Sequence, residues 1–497
     1  MRMCMLLALL ALAPDVAVHA GATAVGQKTE NVIAGTLSPE LLRQDLDFLF
    51  KSIEEIHPNM YAYTGRKEFD RCKRRLYQRI DHPMTAGEFY WELAPVVASL
   101  KMGHMNIWPH ENKSIWPPEA LTGDRSVFPL QIRLAGATVV LERNFSSVSL
   151  PPGSAVESIN GEQALGLVTG LARCFAAERS SMRPALFQML PGFLNDLLLL
   201  RLGPVERWTV RLRSPDGQRK AYVVESVPLS KVIGEQPQQG VESAACTCRY
   251  VPEHRSAVLR VRSFGEEESK FADDLRRCFQ QIADYKASSL IVDIRQNGGG
   301  SPNNADALIE YLTEKPYRQF EECRVKLSPQ VEAQLVPLRS SKPQLFEGKK
   351  VGDMITLDVT FDGQPTVGLR TPPGNPLRFK GSVLVLIDSG SCSTSMSFAA
   401  CVKHFKIGTL IGEETGDPTT CYDDSTMVKL PNSGFVLSVP STIYTVVGDR
   451  KNGWGVMPDH TVKQQRRDTA KGLDTVMQFA LKRAGDVSAT RQPASEP

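Results

Sequence analysis

After its first twenty residues, this 497-residue chain has no apolar run long enough to cross a bilayer, so stable membrane insertion is not expected. No Cys/His spacing reads as a zinc site. Neither a Walker lysine nor G-x-G-x-x-G is present, which argues against a phosphate or dinucleotide cradle. A net charge of only +3 gives no reason to invoke nucleic acid. No metal or organic cofactor is implied, and there is no internal repeat. Hydrophobic content of 42% and charged content of 23% are ordinary for a globular protein with real cores. The ten cysteines do not settle the redox compartment. Cys4 lies in the leader described next, which leaves an odd number behind, and Cys246-Thr247-Cys248 is too tight for an ordinary disulfide with itself.

What is present begins at the N-terminus. Arg2, the short apolar run Met5–Ala13 and Val16-Ala17-Val18-His19-Ala20 have the form of a signal peptide over residues 1–20, cleaved after Ala20. The expectation is an exported protein, periplasmic or extracellular. Residues 21–115 are helix-rich: Ser38-Pro39-Glu40 opens a helix with apolar spacing from Leu41 to Ile53, His57-Pro58 closes it, and further helices are expected over Lys67–Ile80 and Thr85–Leu100. Residues 116–250 read as β-rich with a helical insertion over about Ala164–Leu200. Pro152–Ile159 forms a turn and strand before a tight Asn160-Gly161 turn, and a hairpin is expected around Pro215-Asp216-Gly217. Residues 251–480 alternate strand and helix, which implies a largely parallel sheet with ligands at the carboxyl ends of its strands. Residues 481–497 look like a polar, disordered tail.

Three features carry chemistry. The first is Gly381–Phe405, where the buried-strand run Val383–Ile387 breaks into Ser391-Cys392-Ser393-Thr394-Ser395 ahead of a helical pattern. A hydroxyl there sits beside unpaired N–H groups and the positive end of a helix dipole, which can stabilise an oxyanion. Taken alone, the stretch reads more readily as a helix cap, because such caps are common. The second is Asp293–Gly300, DIRQNGGG, whose glycines let the backbone approach a substrate closely; its bland alternative is a flexible loop. The third is Gly103-His104 between a helix and an apolar run, and a lone histidine is more often structural than catalytic.

Taken together, these segments resemble the C-terminal-processing (tail-specific) serine proteases, in particular their tricorn-core-like branch. Asp293–Gly300 resembles that family's D-L-R-x-N-x-G-G loop, and Ser391–Ser395 with Phe398-Ala399 its nucleophile turn. Ile411–Gly416, Leu430–Gly434 and Gly455–Asp459 are similar to its I-G-E-x-T-G, L-P-N/D-G and G-[IV]-x-P-D elements, in the same order. His57-Pro58 followed by Gly103-His104-Met105 resembles the H-P…D-G-H-T pattern of the tricorn-like members, and Pro152–Gly161 part of a PDZ-like module. The Ser–Lys branch carries its lysine in a T-F-G-K-G turn. Here that turn reads Thr415-Gly416-Asp417-Pro418-Thr419, with no lysine.

The resemblance implies an α/β catalytic core of crotonase-like type, with a mixed, largely parallel sheet and flanking helices. An N-terminal helical domain and a small PDZ-like β-rich region would accompany it. It implies an exported serine-type peptidase acting on a peptide or protein substrate, with Ser393 as nucleophile and His104 as base. The N–H groups of Gly299, Gly300 and Thr394 would form the oxyanion hole. Glu414 is the first candidate for the carboxylate that orients the imidazole, with Glu413, Asp423 and Asp424 as alternatives; Cys392 is a lesser candidate nucleophile. Because Met396 stands where the family often has an acid, the rival reading is a non-catalytic peptide- or lipophile-binding protein on the same fold.

Overall fold

The computed structural model describes residues 35–109, 124–178, 191–234, 244–358, 367–449, 453–469 and 471–490. The expected leader, residues 1–20, lies outside them. The fold is mixed α/β, with several sheets flanked by helices.

Three helices open the described chain, Pro39–Ile56, Arg66–Arg79 and Ala86–Ala98. Ser38 caps the first, and its apolar stripe of Leu42, Leu46, Leu49, Phe50, Ile53 and Ile56 is fully buried. Thr85 and Glu88 form a capping box at the third, each satisfying an orphan N–H of the other's turn.

An antiparallel sheet follows, in the order Arg219–Glu225, Arg207–Arg213, Ala155–Ile159, Thr138–Asn144, Leu130–Ala135, with Glu162–Gln163 folding back on Ala155–Ile159. Asn160 and Gly161, both at positive φ, make the expected tight turn. Helices Ala164–Ala172 and Pro191–Leu202 occupy the expected insertion.

The C-terminal half holds two sheets. In the first, Cys246–Val251 pairs antiparallel with Ser256–Val261, and Ser289–Asp293, Ser382–Ile387, Thr409–Gly412 and His460–Thr461 then add in parallel. The second, antiparallel sheet runs Met354–Thr356, Phe320–Lys326, Val436–Val446, Thr420–Lys429. Ile107–Trp108 joins it by pairing with Val436 and Leu437. That pairing carries the residues just before it, His104 among them, to the edge of the second sheet.

The tail departs from expectation. Residues 481–490 are helical rather than disordered, continuing the helix Thr475–Thr490. Val476, Met477, Ala480 and Ala484 recur at helical spacing and pack on Val258, Ile291, Leu384 and Ile411 of the parallel sheet. Only Ala484 of this stripe lies within the stretch expected to be disordered, so its polar composition gave no sign of the helix that runs into it. Among the described residues, no helix is long and apolar enough to cross a membrane.

Candidate active site

The serine turn is built by two loops fastened together. Asp388, just past the strand Ser382–Ile387, accepts the N–H groups of Gln296 and Gly390, each at 2.9 Å, and the Gln296 side-chain amide at 2.7 Å. The Ser391 hydroxyl donates to Ile294 O at 2.9 Å and Cys392 N–H to Asn297 O at 3.1 Å. Clamped in this way, the chain turns into the helix Thr394–His404 through Ser393, whose backbone stands at φ 51°, ψ −122°. For a residue with a Cβ that conformation costs about 1–3 kcal/mol, the strain expected of a nucleophile elbow. Gly299, at φ 105°, abuts the elbow: a Cβ there would lie 2.7 Å from Ser393 Cβ and 3.0 Å from Thr394 N.

Ser393 differs from its neighbours in what its hydroxyl meets. The Ser391 hydroxyl is spent on Ile294 O, and that of Ser397 on Gln319 at 2.8 Å. Ser393 Oγ instead donates to Asp423 Oδ2 at 3.2 Å. The same oxygen lies 3.6 Å from His104 Nε2. One carboxylate oxygen therefore joins the hydroxyl of the serine turn to an imidazole from the N-terminal region.

His104 is held by its backbone. Its carbonyl accepts the hydroxyls of Ser438 at 2.8 Å and Ser425 at 3.2 Å, both from the second sheet. The preceding Gly103 donates its N–H to Glu178 Oε1 at 2.8 Å, and a Cβ on it would stand 2.9 Å from Glu178 Oε2. Burial disfavours a charge on His104, but the carboxylates of Asp423, Asp417 and Glu178 outweigh burial and lift its pKa to about 9. Burial, reinforced by Asp417, pushes Glu178 up to about 7. Burial also raises Asp417, which accepts the N–H of Ser393, and burial together with Asp423 lifts Asp424 to about 7. Despite this concentration of carboxylates, no group of three or more His, Cys, Asp and Glu among the described residues has the arrangement of a metal site.

Several expected roles fall differently. Glu414, the first candidate to orient the imidazole, has its carboxylate on Gly455 N–H at 2.8 Å. The carboxylates that act on His104 are Asp423, Asp417 and Glu178, and Asp424 also interacts with it electrostatically. Glu413 faces Lys463 at 3.8 Å, and Asp424 accepts the Tyr444 hydroxyl at 2.5 Å. Gly299 N–H, expected in the oxyanion hole, is taken by Asn297 Oδ1 at 3.0 Å. Gly300 and Thr394 lie side by side, the Thr394 hydroxyl donating to Gly300 O at 2.5 Å. Cys392 is buried, its thiol pushed well up and directed at Ser389 O at 3.6 Å. Glu178 and Asp417 were not among the expected site residues: no motif marks Glu178, and the Thr415–Thr419 turn that holds Asp417 stands out only by its missing lysine.

With this geometry in place, the likeness to known proteins is informative. Residues 255–462 match peptidase family S41. This segment is therefore similar to the peptidases of family S41. It takes in DIRQNGGG, the serine turn, Asp417 and Asp423, whereas His104 and Glu178 lie outside it. A tail-specific protease of Haemophilus influenzae is 24% identical over 175 residues, covering 35% of this chain and 19% of that protein's length. At the level of fold, mature CPAF superposes with a TM-score of 0.61 at 14% identity, over 91% of this chain and 97% of its own. A mutant of CPAF gives 0.64 at 14% identity, over 92% and 99%. The C-terminal-processing protease family expected from the motifs is the one these likenesses support.

Proposed function

We propose that this chain is an exported serine peptidase in which Ser393 is the nucleophile and His104 the general base. The observation that carries the reading is the meeting of Ser393 Oγ and His104 Nε2 on Asp423 Oδ2. Ser393 Oγ attacks the scissile carbonyl of a peptide or protein substrate. Neutral His104 takes its proton and passes it to the leaving amine, and water then releases the acyl group by the same route in reverse. Asp423, not Glu414, balances the imidazolium formed on the way. The N–H groups of Gly300 and Thr394 stabilise the oxyanion, each such donor being worth roughly 3 kcal/mol. In this reading the parallel sheet is the crotonase-like core, the antiparallel sheet of residues 130–225 is a PDZ-like module that grips a substrate's tail, and residues 1–20 direct export.

A fluorophosphonate probe on the purified chain tests this. The expected result is labelling of the wild type that disappears in Ser393→Ala. His104→Ala should slow labelling by about a hundredfold or more. Folded wild-type protein that takes no label would favour the non-catalytic binding reading.

A further inference from the structure

We propose that Asp417 is a positioning residue for the nucleophile: its buried carboxylate accepts the Ser393 N–H and so holds the elbow in its left-handed conformation. The proposal rests on reading Ser393 as the nucleophile. A serine at φ 51°, ψ −122° persists only where its surroundings over-determine it. The Ser393 side chain does not cap the helix it opens, and its hydroxyl is turned to Asp423 instead. Its N–H is the group through which the fold can grip the strained residue, and the acceptor found there is the Asp417 side chain.

Asp417 can act as a grip because its own turn is fixed. Gly416 N–H donates to Ser391 O at 3.0 Å, Thr415 N–H to Val456 O at 3.2 Å and Thr419 N–H to Trp454 O at 3.0 Å. A Cβ on Gly416 would run into Cys392 Sγ and Ser389 O, so the turn and the serine loop are in direct backbone contact. This is the turn Thr415–Thr419 that the sequence marks only by its missing lysine. Asp417 is 7% exposed, and the charged groups facing it are His104, Glu178 and Asp423. Burying a carboxylate next to two others is costly, and the Ser393 N–H is one of the few groups there that favours it. Asparagine keeps the acceptor oxygen in the same place and removes the charge.

The test compares fluorophosphonate labelling rates of the full chain as wild type, Asp417→Asn and Asp417→Ala, with Ser393→Ala as blank. It also takes crystal structures of the two Asp417 variants. The expected result is a loss of roughly tenfold or more in Asp417→Ala, with Asp417→Asn within about threefold of wild type, because displacing the nucleophile slightly costs rate steeply. Ser393 should leave positive φ in the alanine variant and keep it in the asparagine variant. An alanine variant that labels as fast as wild type, or faster, overturns the proposal; the faster outcome would make Asp417 an obstruction. An asparagine variant as slow as alanine overturns it in favour of a role for charge alone. If alanine does not fold, Asp417→Val replaces it, filling the space without an acceptor. If wild type takes no label, the peptidase reading fails, and the φ of Ser393 in the crystals still decides the positioning role.

Discussion

At the scale of single residues, the proposed mechanism turns on His104, because its charge state is set against the role proposed for it. Its pKa is lifted from 6.5 to about 9, so at neutral pH the ring is an imidazolium paired with Asp423. A base must be neutral, so kcat/KM should climb with pH and reach its plateau only above about 9. The stability that the pair contributes has the opposite sign: it is complete below 6.5 and is lost as pH rises through about 9. Asp423→Asn removes the carboxylate closest to the ring, so the rising limb should move to lower pH. A pH series of labelling or peptide turnover on the two proteins checks this, and an unmoved limb would dissociate Asp423 from the base. Ser393 and His104, which the structure brings to the same carboxylate, could be singled out from the sequence because each sits in a motif with a mechanical reason. The sequence could not identify Glu178 or Asp417, whose importance comes from contacts with Gly103 and with the Ser393 N–H that no local pattern records. Asp423 was only one of four carboxylates the sequence left open.

At the scale of elements, helix ends and strands were legible where local chemistry decides them. Ser38-Pro39 and the Thr85/Glu88 box start helices within a residue of expectation, and the Val383–Ile387 run is the buried strand it resembled. The C-terminal helix was missed because its apolar stripe gains meaning only from the sheet it covers. The junction of DIRQNGGG with the serine turn is the element-level feature most open to test. Gly299→Ala places a methyl 2.7 Å from Ser393 Cβ at a φ of 105°. The expected outcome is a folded protein by circular dichroism whose labelling falls by roughly a hundredfold, since a displacement of about 1 Å can cost that much. Retained labelling would mean that the elbow tolerates a shift there.

At the scale of the molecule, the N-terminal helices and the second sheet form one core. Leu42, Phe50, Tyr90 and Leu93 pack in the same cluster as Val428, Phe435 and Leu437. Asp45 fastens this junction, accepting the N–H groups of Asn432 at 2.9 Å and Ser433 at 2.8 Å within the Leu430–Gly434 hairpin. Asp45→Ala strands those donors in the interior and should lower stability by about 1–3 kcal/mol. Thermal denaturation measures it, and an unchanged Tm would mean that water or a neighbour replaces the carboxylate. The order of segments could be read from the sequence, but this docking could not, because neither the apolar face of the first helix nor the Leu430–Gly434 segment specifies its partner.

The hydrogen bonds that seat His104 join residues 321 and 334 positions apart. Contacts of such separation close large loops, which carries an entropy cost and slows folding. If His104 and Ser393 act together as proposed, the histidine emerges long before the serine during synthesis, and the two cannot meet until the second sheet has closed. On that reading a growing or partly unfolded chain lacks the assembled pair, and completed folding is what brings it together.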